Sequence, residues 1–352
     1  MFNFNEVKLE HLAIHKVGNK TREEEDLLLS AAELNISDDF VKETLMRYFL
    51  TGFKSDEFYY FDLKQNDKDT LEMYNQVQRL FQTPNQSFET SVEFAKKLYE
   101  SSTHPNIKGG EFYLTHFTNC KYEDEYVDAI GLFKSETKDV FIKIYPEYDD
   151  FDVQAIEGIN IKKLDKGCVI FNTESKDGYR AVVIDKTNSG SEVAQYWKKD
   201  FLSLSQMEDS FYHTANYLDL CKNFCSDVFT EDNDVPRQDQ IMMLNKSFEY
   251  FDANPEFEEN DFQNKVMGGD PGVIDAFENY KEDYQEKNNY AVPDKFDVSE
   301  SAVKDNKKHF KSVLKLDKKF HVYVHGGENF IERGYDEEKR MNFYKLFFHN
   351  ES

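Results

Sequence analysis

Phe112-Tyr113-Leu114-Thr115-His116-Phe117 and, after a short break, Val127-Asp128-Ala129-Ile130-Gly131-Leu132-Phe133 decide how the first half of this chain folds. Both runs are short, apolar and aromatic, with the period of two that strands show. Val140-Phe141-Ile142-Lys143-Ile144, Cys168-Val169-Ile170-Phe171 and Ala181-Val182-Val183-Ile184 continue the pattern. The clusters between them, such as Lys134-Ser135-Glu136-Thr137-Lys138-Asp139 and Ser175-Lys176-Asp177-Gly178, are turn-formers too short to hold a crossover helix. Antiparallel hairpins are therefore expected.

Upstream, Leu9 to Val17 reads as a further strand ending at Gly18-Asn19. Ser37-Asp38-Asp39 supplies a helix start for Phe40, Val41, Leu45, Tyr48 and Phe49. Helical spacing recurs at Met73, Val77, Leu80, Phe81 and at Phe88, Val92, Ala95, Leu98, Tyr99, so these helices should pack on the sheet. After Asn188-Ser189-Gly190-Ser191 the period is helical again. Ala194, Trp197 and Phe201 share a face, and Tyr217, Leu218, Cys221, Phe224, Cys225 and Val228 form a full stripe. Ile241, Leu244, Phe248, Phe251 and Ile274, Phe277, Tyr280, Tyr284 mark two more helices, the second opening at Asp270-Pro271. Strand signals return at Phe310–Leu316, Phe320–His325 and Phe343–Phe348. The expected class is α+β, with an N-terminal antiparallel sheet and packed helices (1–190), an acidic helical middle domain (191–297) and a small basic β-containing C-terminal domain (298–352).

The 352 residues carry 68 acidic and 43 basic side chains, a net charge of −25. With 15% aromatic residues the chain has the bulk for a real core, which excludes disorder as a whole. It has no apolar run of about 18 residues and no secretory start, and its four cysteines make no disulfide framework. A cytoplasmic protein is expected. The charge is uneven: −12 over residues 1–207, −16 over 208–300 and +3 over 301–352.

Few motifs carry chemistry. Cys221 and Cys225 lie four apart on a helix, a spacing that can hold a metal, but inside an apolar stripe where cysteine serves as a small hydrophobe. His11 and His15 share a strand face about 13 Å apart, too far for one ion. Asp128 with Glu136-Thr137-Lys138 has the acid-x-Lys form of metal-dependent nucleases, yet falls in a turn expected to be solvated. Glu147, Asp149, Asp150 and Asp152 lack EF-hand spacing and read as an acidic loop. No nucleotide loop or nucleophile elbow is present, so no cofactor is expected.

The basic tail is the best remaining feature. Lys304, Lys307, Lys308, Lys311, Lys315, Lys318 and Lys319 fall within Ser301–His321 against two aspartates, with Phe310 and Phe320 interleaved and Arg333 beyond. Such a cluster can neutralise phosphates and release counterions, which gives non-specific, salt-dependent DNA binding. Only seven arginines occur in the chain, so bidentate reading of guanine is not expected.

Several stretches together resemble the bacterial 37-kDa nucleoid-associated protein family in its Bacteroidetes-like form. They are His11-Leu12-Ala13-Ile14-His15-Lys16-Val17-Gly18-Asn19, Tyr48-Phe49-Leu50 with Phe53-Lys54, Leu98-Tyr99 with Ser102 and His104–Glu111, Ala129–Glu136, and Gly178-Tyr179-Arg180-Ala181. The resemblance covers essentially the whole chain and implies a cytoplasmic protein associated with the nucleoid and DNA, with no catalytic site to carry over. A non-enzymatic nucleoid protein is the first expectation. The second is an adaptor that reaches the nucleoid through a protein such as a topoisomerase, and the third a nuclease using Asp128, Glu136 and Lys138. Among soluble oligomers the closed two-fold dimer is the default.

Overall fold

Phe112–Phe117 and Val127–Phe133 lie in two long neighbouring strands of a computed structural model that describes residues 2–22, 26–186, 196–233, 235–288, 290–310, 312–317, 319–324 and 331–350. The class is α+β, and the chain divides into two units, Met1–Met207 and Glu208–Ser352.

The first unit runs β1 (Phe2–Asn3), β2 (Lys8–Val17), α1 (Asp39–Leu50), β3 (Phe58–Tyr60), α2 (Lys68–Gln82), α3 (Ser87–Ser101), β4 (Gly110–Tyr122), β5 (Glu125–Ser135), β6 (Asp139–Glu147), β7 (Asp150–Gly158), β8 (Lys166–Phe171), β9 (Arg180–Asp185) and β10 (Ser205–Gln206). The main sheet is antiparallel in the order β1-β4-β5-β8-β9-β3-β10, and β2 shares the outer edge of β4 with β1. Val17, Phe112, Leu114, Ile130, Leu132 and Ile170 pack against Met73, Val77, Leu80, Phe94 and Leu98 of α2 and α3. Phe117, Phe133, Val169 and Phe171 meet Tyr48, Phe49 and Phe53 on the opposite face, where the rings of Phe49 and Phe133 stack at 4.4 Å. Covering both faces is why Cys168–Phe171 of β8 reads as an unbroken apolar run and every residue of the strand is buried.

Local signals held where chemistry dictated them. Asp38 caps α1, its carboxylate accepting from the amides of Phe40 and Val41 at 2.8 and 3.3 Å. The buried end of α1 is its last turn, however: Tyr48, Phe49 and Leu50 are covered, whereas Phe40 is 77% exposed. Gly178 adopts φ +88°, and a Cβ there would stand 2.0 Å from the Phe61 carbonyl oxygen. Only glycine fits this turn. Trp197 and Phe201 lie in a π-helical turn, Tyr196–Phe201, buried with Phe94 and Phe112 in the core of the first unit. Ala194 and the Asn188–Ser191 break lie outside the described residues.

One strand departs from expectation. Val140–Ile144 does not join the main sheet but forms β6, which among the described residues pairs with β7 alone, and the presumed acidic loop is the tip of this hairpin and the start of its second strand. The alternation was right and the partner was not visible in it.

The second unit runs α4 (Ser210–Asp227), α5 (Arg237–Ala253), β11 (Glu256–Glu258), α6 (Glu259–Val266), α7 (Pro271–Asn288), β12 (Lys295–Asp297), α8 (Glu300–Asn306), β13 (Ser312–Leu316), β14 (Phe320–Val324), β15 (Ile331–Asp336) and β16 (Met341–Leu346). Tyr217, Leu218, Cys221 and Phe224 of α4 pack with Phe251, Phe257, Phe262, Phe277 and Phe296. Val303 and Phe310 enter the same core, so Phe310 ends a turn against Phe248 instead of opening a strand. Asp270 caps α7 through the amides of Gly272 and Val273, with Pro271 in the first turn. The tail forms two separate hairpins, β13–β14 and β15–β16. Leu316, Val322, Ile331 and Tyr344 from them pack around Ile241 of α5.

Candidate nucleic-acid interface

Ser299 sets the position of the first lysines. Its hydroxyl accepts from the Ala302 amide at 3.3 Å and its own amide donates to Thr214 on α4, so α8 starts at a fixed place. Ala302 and Val303 then point into the core. Lys304 on α8, and Lys307 and Lys308 in the 3-10 turn Lys307–His309 that follows it, are all three exposed. Phe310 anchors the end of this segment in the core and hands the chain to β13.

The electrostatics of the spot show in His309. Burial, then the neighbouring cations Lys308 and Lys222, hold its imidazole below the usual range, with Asp219 opposing. Lys222 sits on α4 and pairs with Asp219. Lys222 is one of seven bases in residues 208–300, a segment of net −16, and nothing in the sequence marks it out. Lys304 makes an exposed i,i+4 pair with Glu300 at 3.3 Å, worth about 0.3–0.5 kcal/mol, which a phosphate can displace.

On the first tail hairpin, Lys315 lies opposite His321, and Lys319 is exposed where the chain turns. Lys311 and Lys318 lie outside the described residues. Arg333 belongs to the second hairpin, opposite Tyr344, among mixed charges: Glu332 pairs with Lys345 at 3.2 Å and Asp336 with Lys339 at 3.5 Å.

The nuclease residues do not converge. Asp128 and Glu136 are eight positions apart along and just beyond β5, about 26 Å at strand rise. Glu136 is also not the solvated turn residue that was expected. Its carboxylate is buried, receives the Tyr196 hydroxyl at 2.6 Å and pairs with the buried Lys134 at 3.1 Å. Its amide and that of Thr137 donate to Asp165 at 2.7 and 2.9 Å, and Lys138 pairs with Glu111. These groups hold strand ends together. Cys221 and Cys225 are core side chains whose thiols burial pushes up, that of Cys225 to about 12. Among the described residues no three His, Cys, Asp or Glu side chains are arranged to hold a metal ion.

The histidines of β2 and β4 carry a pH prediction. The Ser30 amide donates to His15 Nδ1 at 3.2 Å, so His15 Nε2 carries the proton and donates to Ser91 at 2.8 Å. That is a neutral imidazole. Burial holds both His15 and His116 below the ordinary value of 6.5, with Asp128 opposing it at His116. A lowered folded value means that the unfolded chain binds the proton more tightly. This stability is fully present above pH 6.5 and is lost as pH falls from there through the folded values. Urea midpoints should therefore drop as pH falls below 6.5, and His116→Phe should flatten part of the drop. An unchanged pH slope in that variant would refute the assignment.

Among the described residues no helix is long and apolar enough to cross a membrane. A family model described as nucleoid-associated protein YejK matches residues 13–340. No curated protein matches the chain.

Proposed function

The chain belongs to the family of the nucleoid-associated protein YejK, and from that premise we propose a non-enzymatic protein that contacts DNA phosphates without regard to sequence. The contacts come from Lys304, Lys307 and Lys308, extended by the β13–β14 hairpin with Lys315 and Lys319. Lys311 and Lys318 belong to the same proposed surface by their place in the sequence. Arg333 is its outlying member.

The observation that carries this reading is the exposure of Lys304, Lys307 and Lys308 in one short segment of an otherwise acidic unit. Long-range repulsion from a chain of −25 opposes approach to DNA, but it is screened over about 8 Å at physiological salt. Contacts at the lysines are short-range and survive. The acidic helices then confine DNA to one face and prevent wrapping.

Fluorescence anisotropy with two duplexes of unrelated sequence tests the reading. Affinities should be equal within a few-fold and should fall linearly with the logarithm of salt between about 50 and 200 mM, with a slope near −0.9 per phosphate contacted. Absence of binding at low salt, or binding indifferent to salt, removes direct contact. The adaptor reading would then take its place, with the acidic helices meeting a nucleoid protein.

A further inference from the structure

The β6–β7 hairpin is the least satisfied part of the first unit. Its two strands of nine residues pair only with each other among the described residues, and a lone two-stranded ribbon is at best marginally stable in water. Residues directly opposite each other share a face. One face therefore carries Val140, Ile142, Ile144 and Pro146 with Glu157, Ala155, Val153 and Phe151. Seven of these eight are apolar, and Val140, Ile142, Ile144, Phe151 and Val153 are each 60–70% exposed. The opposite face is more polar: Lys143 lies over the Tyr145 ring and the Tyr145 hydroxyl donates to Asp152 at 2.8 Å, although Phe141 and Ile156 there are 44% and 40% exposed. A patch of this size and purity is a contact surface awaiting its partner.

We propose that the partner is a second copy of this chain, joined hairpin to hairpin across a two-fold axis with the strands of the two copies antiparallel. Area is the first argument. The five large side chains expose roughly 600 Å² per copy, so two faces together cover about 1,200 Å², the lower limit of stable specific interfaces. The face offers no backbone donor or acceptor along its normal, so apolar contact is what it can make, and an identical face satisfies it.

Charge selects the orientation. Between Asp139 and Gly158 the hairpin has six acids and one lysine. Glu157 sits at the base of the apolar face, while Glu147, Asp149 and Asp150 crowd the tip. A parallel arrangement would set base on base and tip on tip, like charge against like. The antiparallel two-fold keeps the two acidic tips, the densest charge, at opposite ends of a ribbon about 30 Å long and sets each tip against the single Glu157 of the other copy. Row 142 of one copy then covers row 144 of the other. The residual repulsion between two acidic hairpins makes association stronger, not weaker, as salt rises.

Sedimentation velocity on the full chain at about 100 μM, in 0.1 and 0.5 M NaCl, tests the proposal. The chain should sediment at twice 41.5 kDa, with the dimer fraction larger at 0.5 M. Ile142→Lys with Val153→Lys should give monomer with an unchanged melting temperature, since both side chains are exposed. Gln154→Lys, on the opposite, more polar face, should leave the dimer intact. A wild-type monomer at 0.5 M NaCl, a dimer that dissociates as salt is added, or a dimer that persists in the double variant would each overturn the assignment. A monomeric wild type would mean that a different molecule covers the face.

Discussion

Replacing Lys304, Lys307 and Lys308 together by glutamate should lower affinity for any duplex about 10²–10³-fold at about 0.1 M salt. Each lysine that neutralises a phosphate releases close to one counterion, and at that salt each release contributes nearly a factor of ten. The slope of log affinity against log salt should shrink by about three. The loss should be equal for A·T-rich and G·C-rich duplexes, because phosphate contacts carry no sequence information. The fold should not suffer: the three side chains are exposed, and α8 is held by Ser299, Ala302 and Val303 on its other side. Lys339→Glu, in the mixed-charge second hairpin, is the control and should change affinity little. Binding that is unaffected by the triple variant would place the DNA surface elsewhere, and a loss confined to one sequence would mean base readout.

Tyr217 is the residue on which the second unit most depends. Its ring lies 4.3 Å from that of Phe257, 5.2 Å from Phe262, 5.6 Å from Phe251, 6.1 Å from Phe277 and 6.3 Å from Phe296. Tyr217→Ala should cost about 3–5 kcal/mol, the transfer term of a large aromatic side chain plus the cavity left among five rigid rings. The hydroxyl, in contrast, is buried with no hydrogen-bond partner among the described residues. Tyr217→Phe removes an unsatisfied polar group and should stabilise by about 1 kcal/mol. Calorimetric unfolding of both variants separates the two contributions. If Tyr217→Phe destabilised the protein, the hydroxyl would have to be making a bond, and the packing account would need revision.

Most of the secondary structure was legible because its signals are local. Period-two runs separated by turn residues became β4, β5, β8 and β9, and Asp38 and Asp270 capped the helices that they precede. What could not be read was which neighbour each element would have. Val140–Ile144 has the alternation of a half-buried strand, and nothing in it says that its apolar face is left exposed. Glu136 has the neighbours of a solvated turn residue, yet Lys134, Tyr196 and Asp165, from positions up to sixty residues distant, enclose it. Phe310 reads as the start of a strand because Phe248, which holds it in the helical core, is remote in sequence.

The candidate interface divides the same way. The lysines of Ser301–His321 stand out from composition alone, since charge density is a property of the linear chain. The exposure of Lys304 goes with Ala302 and Val303 turning inward, and the His309 imidazole, lowered first by burial and then by Lys308, also feels Lys222 of α4, which is far away in sequence.

By itself the sequence determined the α+β class, the uneven charge and the stretch where phosphate contact should be sought, because period, caps and charge density act over a few residues. Only the tertiary structure decided that Asp128 and Glu136 stand too far apart to share a metal, that the cysteine pair is core, and that one hairpin is left with a bare apolar face. Those outcomes depend on distances between residues far apart in the chain, and such distances arise only when the packed core closes.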